Sequence, residues 1–214
     1  MRLTVSLASF TALVAFVFIK PLPDQVRTER PQVRQGDLKD GDKAPDFELA
    51  DVEGKNAVKL SELKGKPTVL IFGSCTCPPF VRSMQDVSKL HDEYKEKVHF
   101  YVIYIREAHP TDGWVIRGND FEVKSPRSDA ERRKIAAEFA RRLKVEIPIL
   151  VDKIDDKVEK AYSCWPNRMY ILNQDGVIAD KGQAGPRGTA TSARGARDVL
   201  DKLLSEEKKD STEK

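Results

Sequence analysis

The sequence predicts an α/β domain with a mostly parallel sheet covered by helices on both faces. Two continuous apolar runs, "TVLIFG" at 68–73 and "VHFYVIYI" at 98–105, have the composition of strands buried on both sides. Stretches of helical period alternate with the strands; the clearest is "DAERRKIAAEFARRLKV" at 129–145. Such alternation implies crossovers between parallel strands. A late Asp-Gly turn, in "NQDG" at 173–176, adds an antiparallel hairpin at the sheet edge.

The elements follow in order. Phe47 and Leu49 point one way in a short strand, "VEGK" turns, and Val58 and Leu60 resume a second strand. "SELKGK" is a short helix and turn before the first buried strand. From Pro78 a helix begins, with Phe80, Met84, Val87 and Tyr94 on its core face and Val81 and Leu90 flanking them. The second buried strand is followed by "REAHPTDGWVIRGNDFEVKSPRSD", a polar loop long enough to be functional or disordered. After the amphipathic helix come the strand "IPILVD", the short helix "KVEKAYSC", the strands "RMYIL" and "VIADKG", and a last helix over about Ser192–Leu204. This order matches a thioredoxin-like fold with an N-terminal β-hairpin extension. It places Pro166 where such folds keep a cis-proline beside the active site.

The flanks differ from the domain. Residues 3–19 carry no charge, and 17 residues of helix span roughly 25 Å, slightly less than a hydrocarbon core of about 30 Å. Residues 1–20 are therefore expected to be a hydrophobic membrane-anchor helix or signal segment, favouring an uncleaved anchor over a secreted or periplasmic product of signal cleavage. Residues 21–37, with Pro21, Pro23 and Pro31, read as a linker, residues 38–205 as the domain, and residues 206–214 as a charged, frayed tail. Residues 1–36 are expected to be dispensable for folding. Orientation stays open. Lys20, Arg27, Arg30 and Arg34 follow the apolar run and favour a cytoplasmic domain, whereas thiol chemistry suits an exported one. The net charge of +3, from 37 basic and 34 acidic residues mixed along the chain, gives no reason to expect nucleic acid as a partner.

Three cysteines bear the chemistry. Cys75 and Cys77 lie one residue apart in "GSCTCPPF". That spacing fits neither a zinc site nor a thioredoxin-type pair, so no metal is expected. Cys77 immediately precedes a helix whose first turn holds Pro78 and Pro79, where a missing N–H costs nothing. Its thiol should face the free N–H groups and positive end of the helix, lowering its pKa from about 8.5 to between about 3.5 and 7.5. Cys77 is thus the candidate nucleophile. Phe80 stands where a thioredoxin keeps its second cysteine, so Cys75 and Cys164 are the candidate resolving thiols, with Cys75 ahead because of its proximity in the chain. His109 follows the second buried strand, at the end of the sheet where ligands bind, and can move a proton near neutral pH. Trp114 in the same loop can wall a pocket.

These residues carry a family likeness. "FGSCTCPPF" resembles the active-site segment of the iodothyronine deiodinases, in which the position of Cys77 is usually selenocysteine. "VIYIREAHPTDGW" is similar to the family's strand and histidine loop. "PRSDAERR", "ILVDKIDDKVEKAY", "WPNRMYIL" and "KGQAGP" fit in the same order, over about residues 38–204. The resemblance implies a thiol-dependent oxidoreductase that removes a halogen reductively from an iodothyronine-like aromatic ring. By resemblance Cys77 would be the nucleophile, His109 the catalytic histidine and Glu107 a neighbouring catalytic acid, with Arg187 near the substrate; the residues themselves add Cys75 to the catalytic set and Trp114 and Pro166 to the substrate site. It implies no cofactor beyond an external thiol or dithiol reductant of thioredoxin or glutathione type. The implied partners are a small-molecule substrate, the membrane, and a second copy in a homodimer. Three departures stand out: cysteine at position 77, Pro126 in place of a second histidine, and Ala184 in place of an arginine seen in some members. Residues 41–70 also resemble the peroxiredoxin-like group, so a thiol peroxidase or thiol-disulfide oxidoreductase is the alternative enzyme. A tethered redox sensor or binding module is the non-enzymatic one.

Overall fold

The computed structural model describes residues 30–212, with side chains through Glu206. The expected anchor at 1–20 and most of the expected linker lie outside these residues. Among the described residues, no helix is long and apolar enough to cross a membrane.

A small antiparallel pair, β1 (Glu48–Leu49) and β2 (Val58–Lys59), forms the N-terminal hairpin. Leu60 was expected to extend its second strand but opens a one-turn 3-10 helix instead. The main sheet holds β3 (Thr68–Gly73), β4 (His99–Tyr104), β5 (Ile149–Val151), β6 (Arg168–Leu172) and β7 (Ile178–Lys181), in the order β5-β4-β3-β6-β7. Between them run α1 (Pro78–Tyr94), α2 (Asp129–Leu143) and α3 (Lys157–Tyr162), and α4 (Gly188–Thr212) closes the chain. This is the expected thioredoxin-like order, with two corrections. β6 pairs antiparallel with the central strand β3, so the antiparallel part of the sheet reaches its middle rather than only its edge. The last helix runs on to Thr212 through the stretch expected to be a frayed tail, which is rich in the helix formers Glu and Lys.

All six residues of β3 are buried, as a central strand with helices on both sides requires. Successive side chains alternate between the faces. Phe72 packs on Tyr162 of α3, with ring centroids 5.0 Å apart. On the other face, a Cβ at Gly73 would fall 2.3 Å from the ring of Phe80 in α1, so only glycine lets α1 sit this close to the strand. α4 docks beside α1, where Tyr94 donates to Asp201 at 2.8 Å and Arg197 pairs with Glu93 at 2.7 Å. The C-terminal end of β3 and the N-terminus of α1 are thereby fixed to each other, and residues 74–77 bridge them.

Arg34 and Gln35, expected as linker, are bound to the domain. The guanidinium of Arg168 is fully buried at the start of β6. It donates to the carbonyl of Gln35 at 2.8 Å, to its side-chain oxygen at 2.7 Å, and to the carbonyl of Arg34 at 3.3 Å. The sequence pattern hides this attachment because two of its three bonds use main-chain carbonyls, which every residue has. A chain starting at Gly36 would leave that buried cation with only Tyr162 and Tyr170 as neighbouring acceptors. Contrary to the expectation from sequence, it should lose about 3 kcal/mol or more. That corresponds to a melting temperature lower by about 10 °C than that of a chain starting at Arg30. Equal melting temperatures for the two chains would show that the attachment contributes nothing.

Candidate active site

Cys77 is the N-cap of α1, extended at φ −96° and ψ 96°, with prolines in the first two helical positions. Its N–H donates to the carbonyl of Ser74 at 3.1 Å and its carbonyl accepts from Val81 at 3.0 Å, so a tight turn feeds directly into the helix. The side chain makes no capping hydrogen bond of its own. It opens into an apolar pocket of about 210 Å³. His109, Trp114, Trp165 and Pro166 share that pocket, and Arg30, Pro31 and Val33 close it from the N-terminal strap. The Trp165–Pro166 peptide bond is cis, as the position of Pro166 suggested.

The thiol is not acidified in the way the helix terminus alone implied. Burial pushes the Cys77 thiol up from its ordinary value of 9.0. The N–H of Phe80, the amide of Asn167 and the charge of Arg82 act in the opposite direction, while Glu107 adds to the rise. Helix N-termini favour thiolate. Here the enclosing strap and tryptophans remove the water that would share that work.

His109 is mostly buried, and its Nδ1 lies 3.0 Å from the carbonyl of Trp114. A carbonyl only accepts, so Nδ1 carries a proton in every state of the ring and Nε2 is the atom that titrates. The imidazole meets the Trp114 ring edge-on at 4.3 Å. Burial and the nearby Arg30 lower its pKa below 6.5, against the Trp114 carbonyl, which raises it. At neutral pH the ring is therefore uncharged, with a lone pair on Nε2.

Glu107 is buried beneath the turn that carries the cysteines. It accepts from the hydroxyls of Thr76 at 2.5 Å and Tyr104 at 2.6 Å, from Thr76 N–H at 3.3 Å, and from the Cys75 thiol at 3.7 Å. Thr76 Oγ1 in turn accepts from the N–H groups of Ala108 and His109, at 3.0 and 3.1 Å. The amide of Asn119 reaches back to the Thr76 carbonyl at 2.9 Å. One carboxyl thus ties the cysteine turn to the histidine loop. Burial raises the pKa of Glu107, and these donors oppose that rise. The long loop is ordered by contacts of this kind, with Asp112 accepting from Ser125 at 2.8 and 2.9 Å.

The remaining candidates divide. Cys75 is fully buried, and burial with the neighbouring Glu107 carboxyl drives its pKa far above the ordinary thiol range. Cys164 is also fully buried, with its thiol on the carbonyl of Glu159 at 3.5 Å, and it does not line the Cys77 pocket. All three thiols are free, each with a different partner. Arg187 is not brought to the nucleophile. It lines a separate concavity with Gln183 and Arg194, while its neighbour Pro186 lines the Cys77 pocket. The cation at that pocket is Arg30, whose guanidinium lies 5.0 Å from the Trp114 ring centre. Sequence reasoning missed Arg30 because it lies in the presumed linker. It also missed Thr76 and Tyr104, whose hydroxyls carry no periodic signal.

The model of the iodothyronine deiodinase family matches residues 26–204. The chain is 36% identical over 155 residues to thyroxine 5-deiodinase of Ovis aries, covering 72% of this chain and 52% of that protein. It is 38% identical over 152 residues to type I iodothyronine deiodinase of Xenopus laevis, covering 69% and 58%. The chain thus spans about half the length of the curated relatives it matches. Among solved structures, peroxidoxin BcpB of Mycobacterium tuberculosis is similar with a TM-score of 0.55 at 20% identity, covering 78% of this chain and 99% of that one; at that identity the likeness concerns the fold. With a family match whose range takes in the cysteine turn, the histidine loop and the cis-proline, the chain belongs to the iodothyronine deiodinase family.

Proposed function

We propose that this domain is a thiol-dependent reductive dehalogenase acting on an iodinated, iodothyronine-like aromatic ring. The observation that carries the reading is one apolar, tryptophan-walled pocket that holds both the Cys77 thiol and His109. A ring fits between aromatic walls, and Arg30 at the pocket offers its charge to a phenolate or carboxylate on the substrate.

In the resting site the thiol holds the proton and the imidazole is neutral. His109 Nε2 takes the thiol proton as the sulfur attacks iodine, then gives it to the ring carbon that iodine leaves. The carbon–iodine bond breaks, a sulfur–iodine bond forms, and the ring gains hydrogen; Cys77 is oxidised and the substrate reduced. Two external thiols of glutathione type, or one dithiol of thioredoxin type, then return Cys77 to its thiol, becoming a disulfide and releasing iodide and a proton. No resident cofactor is needed for this balance. Glu107 is a positioning residue, buried under the turn rather than facing the ring, and Cys75 is placed ahead of Cys164 as a resolving thiol by its proximity in the chain. The uncharged run at 3–19 is proposed to tether the domain to a membrane.

The test is turnover of the full chain with an iodinated phenol and dithiothreitol. Iodide release matched by deiodinated product is expected. Consumption of hydrogen peroxide without iodide release would replace this reading by the thiol peroxidase. Neither activity would favour a tethered sensor.

A further inference from the structure

One buried polar contact to the nucleophile has no part in the steps above. Asn167, 1% exposed, directly follows the cis Trp165–Pro166 bond, and its Nδ2 donates to the Cys77 sulfur at 3.2 Å. The far side of the amide is also engaged. Oδ1 accepts from the Thr189 N–H at 2.9 Å and from the Thr189 hydroxyl at 3.0 Å. Thr189 is fully buried in the first turn of α4. A main-chain N–H can only donate, so the amide cannot be turned round: Oδ1 must face Thr189 and Nδ2 must face sulfur. The Asn167 carbonyl accepts from Gly185 at 3.3 Å, which fixes its backbone to the same segment.

We propose that Asn167 is a positioning residue for Cys77, aiming its sulfur into the pocket and favouring the ionised form, and that Thr189 aims Asn167. A neutral amide donor is suited to this task. It stabilises sulfur's negative charge as it develops in attack on the substrate, and again when thiolate leaves as the oxidised sulfur is reduced. It brings no charge that would hold sulfur back from a substrate. The nucleophile's reactivity is thereby governed by the residue just before β6, 90 residues away in sequence, and through it by the first turn of α4. The other groups acting on Cys77 are the Phe80 N–H and Arg82, which favour thiolate, and Glu107, which disfavours it; His109 and Arg30 share its pocket.

The catalytic consequence rests on the proposed dehalogenation, but the effect on sulfur does not, and the two are read separately. The full chain is alkylated with iodoacetamide across a range of pH, and modification of Cys77 is followed by mass spectrometry. Asn167→Ala should slow alkylation at neutral pH by about 10–100-fold and move its pH profile to higher pH, the size expected for losing a hydrogen bond to a charged sulfur. Asn167→Asp should go at least as far, because a carboxylate oxygen would then face sulfur. Thr189→Val, which keeps the N–H and loses the hydroxyl, should shift the profile in the same direction by less. Thermal unfolding reports whether each variant is folded, and Thr189→Val serves where an Asn167 variant is not. An unchanged profile in a folded Asn167 variant overturns the proposal, as does a shift to lower pH. A shifted profile in a protein that never releases iodide supports it while overturning the dehalogenase.

Discussion

Replacing Cys77 with serine is expected to remove all iodide-releasing turnover while leaving the fold intact. The loss follows from the bond that must form: a serine oxygen stays un-ionised in this apolar pocket and makes no stable counterpart of a sulfur–iodine bond. The fold should not suffer, because Cys77 is the N-cap of α1 and a serine oxygen can accept from the Asn167 amide that donates to sulfur. Serine is itself among the favoured N-cap residues. A change in unfolding free energy within about 1 kcal/mol is therefore expected, and it separates lost chemistry from lost structure. Cys75→Ser is the informative comparison. Its thiol lies against Glu107, and burial with that carboxyl holds it protonated. Retained turnover in Cys77→Ser together with its loss in Cys75→Ser would move the nucleophile two residues back and sink the assignment.

Much of this architecture was legible in sequence because burial leaves a periodic record. The buried six-residue run of β3 and the core face of α1 specified where a strand ends and a helix begins, and two prolines after Cys77 marked the helical entry. His109 was found because loops at that end of such a sheet hold ligands. What the sequence did not disclose depends on partners without periodicity. Pairing direction between β3 and β6 is invisible in apolar runs, so the extent of the antiparallel sheet was underestimated. Arg34 and Gln35 attach to a buried arginine largely through carbonyls, and no composition signals that. The thiol's acidity was misjudged for a related reason. The helix terminus is local and readable, whereas the strap and the tryptophans that exclude water from Cys77 come from three distant segments.

His109→Ala should lower kcat/KM for dehalogenation by about 10²–10⁴-fold, the usual worth of a positioned proton donor and acceptor. The pH profile gives the sharper test. The productive pair of Cys77 and His109 holds one proton in addition to that on Nδ1. Below the His109 pKa, which burial sets under 6.5, Nε2 is protonated and cannot take the proton from sulfur. Above the Cys77 pKa, which burial sets over 9.0, the pair has no proton left to deliver to carbon. Wild-type kcat/KM should therefore be flat between these two values, falling on the acid side as His109 gains a proton and on the alkaline side as Cys77 loses one. In His109→Ala the acid limb should disappear with its titrating group. Alkylation of Cys77 by a small reagent, which needs no proton on carbon, should fall by much less than dehalogenation. The alanine also removes the edge contact with Trp114 at 4.3 Å and the hydrogen bond to its carbonyl, so loop order must be checked by thermal unfolding. His109→Asn offers an amide donor to the same carbonyl without a titrating nitrogen, and should be as slow as alanine. Equal losses in alkylation and dehalogenation would confine His109 to deprotonating sulfur. Wild-type turnover in either variant would show that the histidine only packs the loop.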